Sequence, residues 1–157
     1  MTAALQHILD IPGKSILFAG VGNVLKQDDG AGVFIARGIR KGNGISTLVV
    51  EMGIENHIGK INTLAPDILV IIDATDFGEK PGFIRLAEVS SLKGITTNTH
   101  NISLAKISEL FNMPVYILGI QPADISFGEG MSPEIRESAD RIVKLINSKN
   151  GELIFAQ

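Results

Sequence analysis

The run Ile68-Leu69-Val70-Ile71-Ile72 is apolar at every position and closes on Asp73. A strand with one wet face alternates apolar and polar residues; a strand covered on both faces does not. The run therefore predicts a parallel strand buried between two layers. Ser15–Ala19, Thr47–Val50 and Val115–Ile120 read as further strands, and the short segment Phe83–Leu86, introduced by Pro81-Gly82 and carrying Arg85, reads as an antiparallel edge strand. Helical spacing separates them. Leu5, Ile8 and Leu9 mark a short first helix that Pro12-Gly13 breaks. Val33, Ala36 and Ile39 share one face of a second helix from about Asp28, with Arg40 and Lys41 in its last turn before Gly42 and Gly44. A helix over Glu55–Leu64 stops before Pro66, and one over His100–Phe111 places Leu104, Ile107 and Phe111 on one side. The last helix begins at Ser132-Pro133, serine as N-cap and proline at the first helical position, and buries Ile135, Ala139, Ile142 and Ile146 before Gly151. Strands alternating with helices over the whole length predict a three-layer α/β/α domain around a five-stranded, mostly parallel twisted sheet with one antiparallel edge strand. One domain is expected over residues 1–157, with residues 1–13 as an N-terminal extension and 151–157 as a tail.

Bulk properties narrow the function classes. The 157 residues are 45% hydrophobic and 20% charged, as in a globular domain with a core. The net charge is −3, no basic cluster occurs, and with no Trp and one Tyr there is no stacking platform, so nucleic acid is not an expected partner. The absence of Cys excludes disulfides, thiol nucleophiles and Cys-ligated zinc. No apolar stretch is long enough to span a bilayer and no secretory leader is evident, so a cytoplasmic protein without membrane insertion is expected.

In an open α/β sheet the ligand crevice lies outside the carboxyl ends of the strands. Three candidate residues map to that edge. Asp29 follows the first strand through Gly20-Val21-Gly22-Asn23; Asp73 ends the third; His100 opens a helix after Thr96-Thr97-Asn98-Thr99. The glycine-rich turn also invites a dinucleotide-binding reading, with Glu51 as the acid ending the second strand. However, position 25 is Leu where the third glycine would fall, and Asp28 and Asp29 occupy the helix start where a pyrophosphate would sit. Two consecutive aspartates cannot both cap one helix, so one caps and the other is free for another task. Asp76 is expected to cap the loop after Asp73 or to stand behind the site. His7 and His57 have no such setting, and His57 is expected to be exposed.

Three blocks of sequence resemble the nickel–iron hydrogenase maturation endopeptidases. They are Gly20-Val21-Gly22-Asn23 with Asp28-Asp29-Gly30-Ala31-Gly32-Val33; Ile72-Asp73-Ala74-Thr75-Asp76-Phe77-Gly78 with Pro81-Gly82; and Thr99-His100-Asn101 with Leu118-Gly119-Ile120-Gln121-Pro122 and Met131-Ser132-Pro133. The Thr-His-Asn and Ile-Gln-Pro forms resemble most closely the branch serving formate-hydrogenlyase-type hydrogenases. The resemblance implies an endopeptidase that removes the C-terminal extension from a hydrogenase large-subunit precursor once nickel is seated. It implies Asp29, Asp73 and His100 as metal ligands, with Asp29 and Asp73 as the catalytic carboxylates. The nickel is expected to be presented by the precursor, with cadmium or zinc able to occupy the site in vitro, and the free enzyme is expected to be monomeric. One departure is at Glu51-Met52-Gly53, where the family often carries two glycines after the acid.

The residues leave two mechanisms open. Two oxygens and a nitrogen could face a divalent ion while a carboxylate acts as general base. Alternatively, the metal is only recognised and Asp29 with Asp73 shares a proton as an aspartyl protease dyad. A different class remains, a dinucleotide- or metal-binding domain without peptidase activity on a Rossmann-like fold.

Overall fold

A computed structural model describes residues 3–51, 53–91, 96–97 and 104–149. Among the described residues, six strands form one sheet. β1 (Ile16–Val21) lies between β2 (Ile45–Val50) and β3 (Ile68–Asp76), parallel to both. β4 (Ile84–Glu88) and the two-residue β5 (Thr96–Thr97) come next in the chain, and β6 (Val115–Ile120) pairs parallel with β3. The order is β2-β1-β3-β6-β4, with β4 antiparallel at the edge as expected and its Arg85 exposed. β5 is the addition to the expected five: it pairs antiparallel with the end of β3, Thr75 opposite Thr97. A two-residue strand carries no period that a sequence could display.

The apolar run behaves as predicted because successive side chains on a strand point to opposite faces. Ile68, Val70 and Ile72 enter one core cluster with α1 (Ala3–Leu9), α2 (Ala31–Gly38) and α5 (Pro133–Ser148). Leu69 and Ile71 enter the other, against α3 (Ile58–Leu64) and α4 (Leu104–Ser108). All four expected core residues of α5, Ile135, Ala139, Ile142 and Ile146, are fully buried.

Strand ends shift by one or two residues, and four larger differences have a visible cause or consequence. α2 ends at Gly38, so Arg40 and Lys41 lie beyond it. The reason is tertiary: Asn147 on α5 donates to the Gly38 carbonyl (3.0 Å) and accepts from Arg40 N (2.8 Å), drawing the chain out of the helix. α4 ends at Ser108 rather than Phe111, where Asn62 donates to Leu110 O and accepts from Asn112 N, both at 2.9 Å. The segment Glu55–Leu64 is split into a 3₁₀ turn, Ile54–His57, and α3. His57 stands at that junction, half-buried rather than exposed, because Ile58 beside it packs on the core. β3 runs on past Ile72, which puts Asp73 inside the strand rather than after it.

Chain order creates the site. From β1 the chain moves outward to β2, then returns across β1 to β3. The connections after β1 and after β2 thus leave in opposite directions, and the point between β1 and β3 is where such a sheet opens a crevice at its carboxyl edge.

Candidate active site

Asp29 and Asp73 stand on either side of that point. Beyond β1, Gly22 (φ +150°) donates its amide to Val50 O at 3.2 Å and turns the chain. A one-turn 3₁₀ helix, Gln27–Gly30, follows and leads directly into α2. Asp29 on that turn is 1% exposed, and its Oδ2 accepts from Asn23 N at 3.0 Å. Asp73 is fully buried in β3, opposite Gly119 of β6. The two-residue alternation puts it on the face of Leu69 and Ile71. The 3₁₀ turn packs on β3, and Oδ1 of each aspartate is sealed from solvent.

The glycines explain how the turn comes so close. A Cβ on Gly32 would lie 2.2 Å from Ile72 O and 2.5 Å from Val21 O, so the first turn of α2 is wedged against the ends of β3 and β1. A Cβ on Gly22 would lie 1.9 Å from Asp29 O. The space that a dinucleotide fingerprint leaves for a pyrophosphate is filled here by the chain's own backbone. Glu51, the acid of that reading, instead pairs with Arg37 (2.9 Å) at the surface.

The two aspartates take separate tasks, but not the expected split of one helix cap and one free carboxylate: the N-cap positions of the 3₁₀ turn and of α2 are Lys26 and Gly30, which make no side-chain cap bond. Asp28, fully buried, turns to the other side and binds the loop before α5. Ser132 is the N-cap of α5 by position, but its hydroxyl donates to Asp28 Oδ2 (2.8 Å) instead of capping.

Asp76 is the loop cap. It is exposed, and its Oδ1 accepts from Gly78 N (3.0 Å) and Gln121 Nε2 (3.2 Å). These bonds, the backbone one foremost, hold its carboxyl below the usual carboxylate range. Gln121 Oε1 accepts from Phe77 N (2.6 Å) and Glu79 N (3.3 Å), so one side chain fixes the loop after Asp73. Neither the Gln121 network nor the Asp28 network was legible from local sequence; the only signals were the paired aspartates and the Gln-Pro dipeptide.

His100, the third residue of the expected set, lies outside the described residues. Among the described residues no group of three or more His, Asp or Glu is placed to hold a metal ion. The two carboxylates fit one in their chemistry: hard oxygen donors held out of water at one edge favour a bound cation or a shared proton over two bare charges.

A family model described as HycI, hydrogenase maturation protease, matches residues 48–149, a span that includes Asp73 but begins after Asp29. The hydrogenase 3 maturation protease of Escherichia coli (strain K12) is 33% identical over 146 residues, 87% of this chain and 92% of the relative. The crystal structure of a [NiFe] hydrogenase maturation protease HycI from Thermococcus kodakarensis KOD1 is similar with a TM-score of 0.78 at 29% identity, covering 94% of this chain and 98% of that one. The solution structure of an endopeptidase HycI from Escherichia coli gives 0.74 at 27% identity, over 87% and 91%.

Proposed function

The chain belongs to the hydrogenase maturation protease family, and from that membership we propose that it removes the C-terminal extension of a nickel-loaded hydrogenase large-subunit precursor, with Asp29 and Asp73 at the reacting bond. It is an endopeptidase of that family. The observation that carries the assignment of residues is the burial of both carboxylates at the opening between β1 and β3. Precursor processing in the cytoplasm suits a chain without Cys, and among the described residues no helix is long and apolar enough to cross a membrane.

Amide hydrolysis needs an activated water, a stabilised oxyanion and a protonated leaving amine. In the reading preferred here, one carboxylate of the Asp29–Asp73 pair takes the proton of the attacking water and returns it to the leaving nitrogen. Nickel, carried in by the substrate, would be faced by Asp29, Asp73 and His100, and an ion held there would supply polarisation of the carbonyl oxygen. The burial of both aspartates also supports a second reading, in which they share one proton as an aspartic dyad and nickel serves recognition alone.

The test is precursor processing followed by intact mass, with and without nickel. Wild type is expected to release a C-terminal peptide only from the nickel-loaded precursor. Asp29→Asn is expected to slow release by about 100-fold or more, the usual scale of lost acid–base assistance. His100→Ala separates the mechanisms: cleavage of the loaded precursor at the wild-type rate overturns a role for His100 at the nickel.

A further inference from the structure

The turn that carries Asp29 carries a second buried carboxylate that the reaction does not use. Asp28 is 0% exposed and accepts four hydrogen bonds from the loop before α5: Ala123 N and Asp124 N (both 2.9 Å) and Ser132 Oγ (2.8 Å) on Oδ2, and Ser132 N (2.7 Å) on Oδ1. The backbone adds a zipper along the same seam. Asp28 N donates to Asp124 O (3.0 Å), Gln27 N to Gly128 O (3.1 Å), and Gly128 N to Leu25 O (3.0 Å). Gln27 Nε2 donates to Ser126 O (3.2 Å) and Oγ (3.1 Å).

In a 3₁₀ turn consecutive side chains are about 120° apart. Asp28 and Asp29 therefore face different directions from one rigid unit, and rotation of the turn moves both. On the Asp29 side, Asn23 N donates to Oδ2 and Gly22 lies against the Asp29 carbonyl. We propose that Asp28 is a positioning residue: by clamping the 123–132 loop onto the 27–30 turn, it fixes where the Asp29 carboxylate stands for peptide cleavage. The proposal rests on the assignment of Asp29 above. Placement matters at this scale, since an error of about 1 Å at a reacting group can cost about 100-fold in rate.

The experiment compares Asp28→Asn, Ser132→Ala and Asn147→Ala with wild type. Asn147 ties α5 to the far end of α2 and touches neither the turn nor the loop, so its loss is a control for stability alone. Three quantities are read: kcat and KM for a nickel-loaded precursor below all melting transitions, the thermal midpoint, and the amide signal of Asn23 by NMR. That amide donates to Asp29 and reports its placement without substrate. Asp28→Asn keeps the shape but turns an amide NH₂ toward donors. It is expected to lower kcat by about 10- to 100-fold, leave KM within about twofold, and shift the Asn23 amide. Ser132→Ala, which removes one of the bonds, moves both quantities in the same direction by less. Asn147→Ala lowers the midpoint and moves neither. A wild-type kcat in Asp28→Asn, an unmoved Asn23 amide, or an equal loss of kcat in Asn147→Ala overturns the clamp. Should Asp28→Asn not fold, Ser132→Ala decides. Should wild type not cleave any loaded precursor, the functional assignment fails, and the Asn23 amide alone then supports or overturns the clamp.

Discussion

At Gly32 a single methyl group is too much. The atoms a Cβ would meet are the carbonyl oxygens of Ile72 and Val21, backbone that cannot step aside as a flexible side chain would. Gly32→Ala is therefore expected to push α2 off the sheet edge, at a cost of about 1–3 kcal/mol typical of overpacking. Because Asp29 lies three residues earlier, cleavage should fall as well; urea unfolding and precursor processing measured on the same preparation check both. The sequence displayed this glycine, and Gly20-Val21-Gly22 before it, plainly enough for a tight strand-to-helix connection to be read. What fills the space was not legible. A glycine vacated for a phosphate and one vacated for a neighbouring carbonyl are identical in one dimension. Similarly, nothing local distinguishes Asp28 from Asp29, and only the direction each takes from the 3₁₀ turn does.

At the scale of elements, periodicity carried far where burial alone sets the pattern. β6 has the expected bounds, Val115–Ile120, and α5 buries the residues that its spacing assigns. Ile142 sits in the middle of that stripe, fully buried among α2, α5 and the sheet. Ile142→Ala is expected to destabilise by about 2–5 kcal/mol, read as a lower urea midpoint at unchanged slope, without a shift of the Asn23 amide. Element ends were less legible. α2 and α4 stop where Asn147 and Asn62 offer their backbone groups partners from another part of the chain. Propensity cannot anticipate a competitor 48 to 109 residues away.

At the scale of the whole molecule, the sheet is also fastened at its other edge. Asp67 Oδ2, just before β3, accepts from Ser15 N (2.8 Å) and Ser15 Oγ (3.2 Å), just before β1. The Ser15 amide foremost, then its hydroxyl, and Lys14 nearby hold the Asp67 carboxyl below its usual range. Asp124 is lowered by the Ser126 hydroxyl and then its amide, and Asp76 by Gly78 and Gln121. A carboxyl lowered in the folded state binds its proton less readily there than in the unfolded chain. Its contribution is complete above the unfolded value and is lost as pH falls through the folded one. The urea midpoint is expected to be flat with respect to these groups above about pH 5 and to fall below about pH 4. Asp67→Asn should make that acid limb shallower, and an unchanged limb would exclude this fastening as a source.

By itself the sequence determined the layers, the identity of the main strands and helices, their buried faces, and the two aspartates at the carboxyl edge. Each follows from local chemistry: a two-residue or 3.6-residue period, a breaker, a polar residue closing an apolar run. Tertiary structure alone decided the strand order, the β5 pairing, the early ends of α2 and α4, and the separate tasks of Asp28 and Asp29. These rest on bonds between residues far apart in the chain, such as Asp28 with Ala123 and Ser132 at separations of 95 and 104 residues. Such bonds form only after the sheet has brought β1 and β6 to the same edge, and no local period records them.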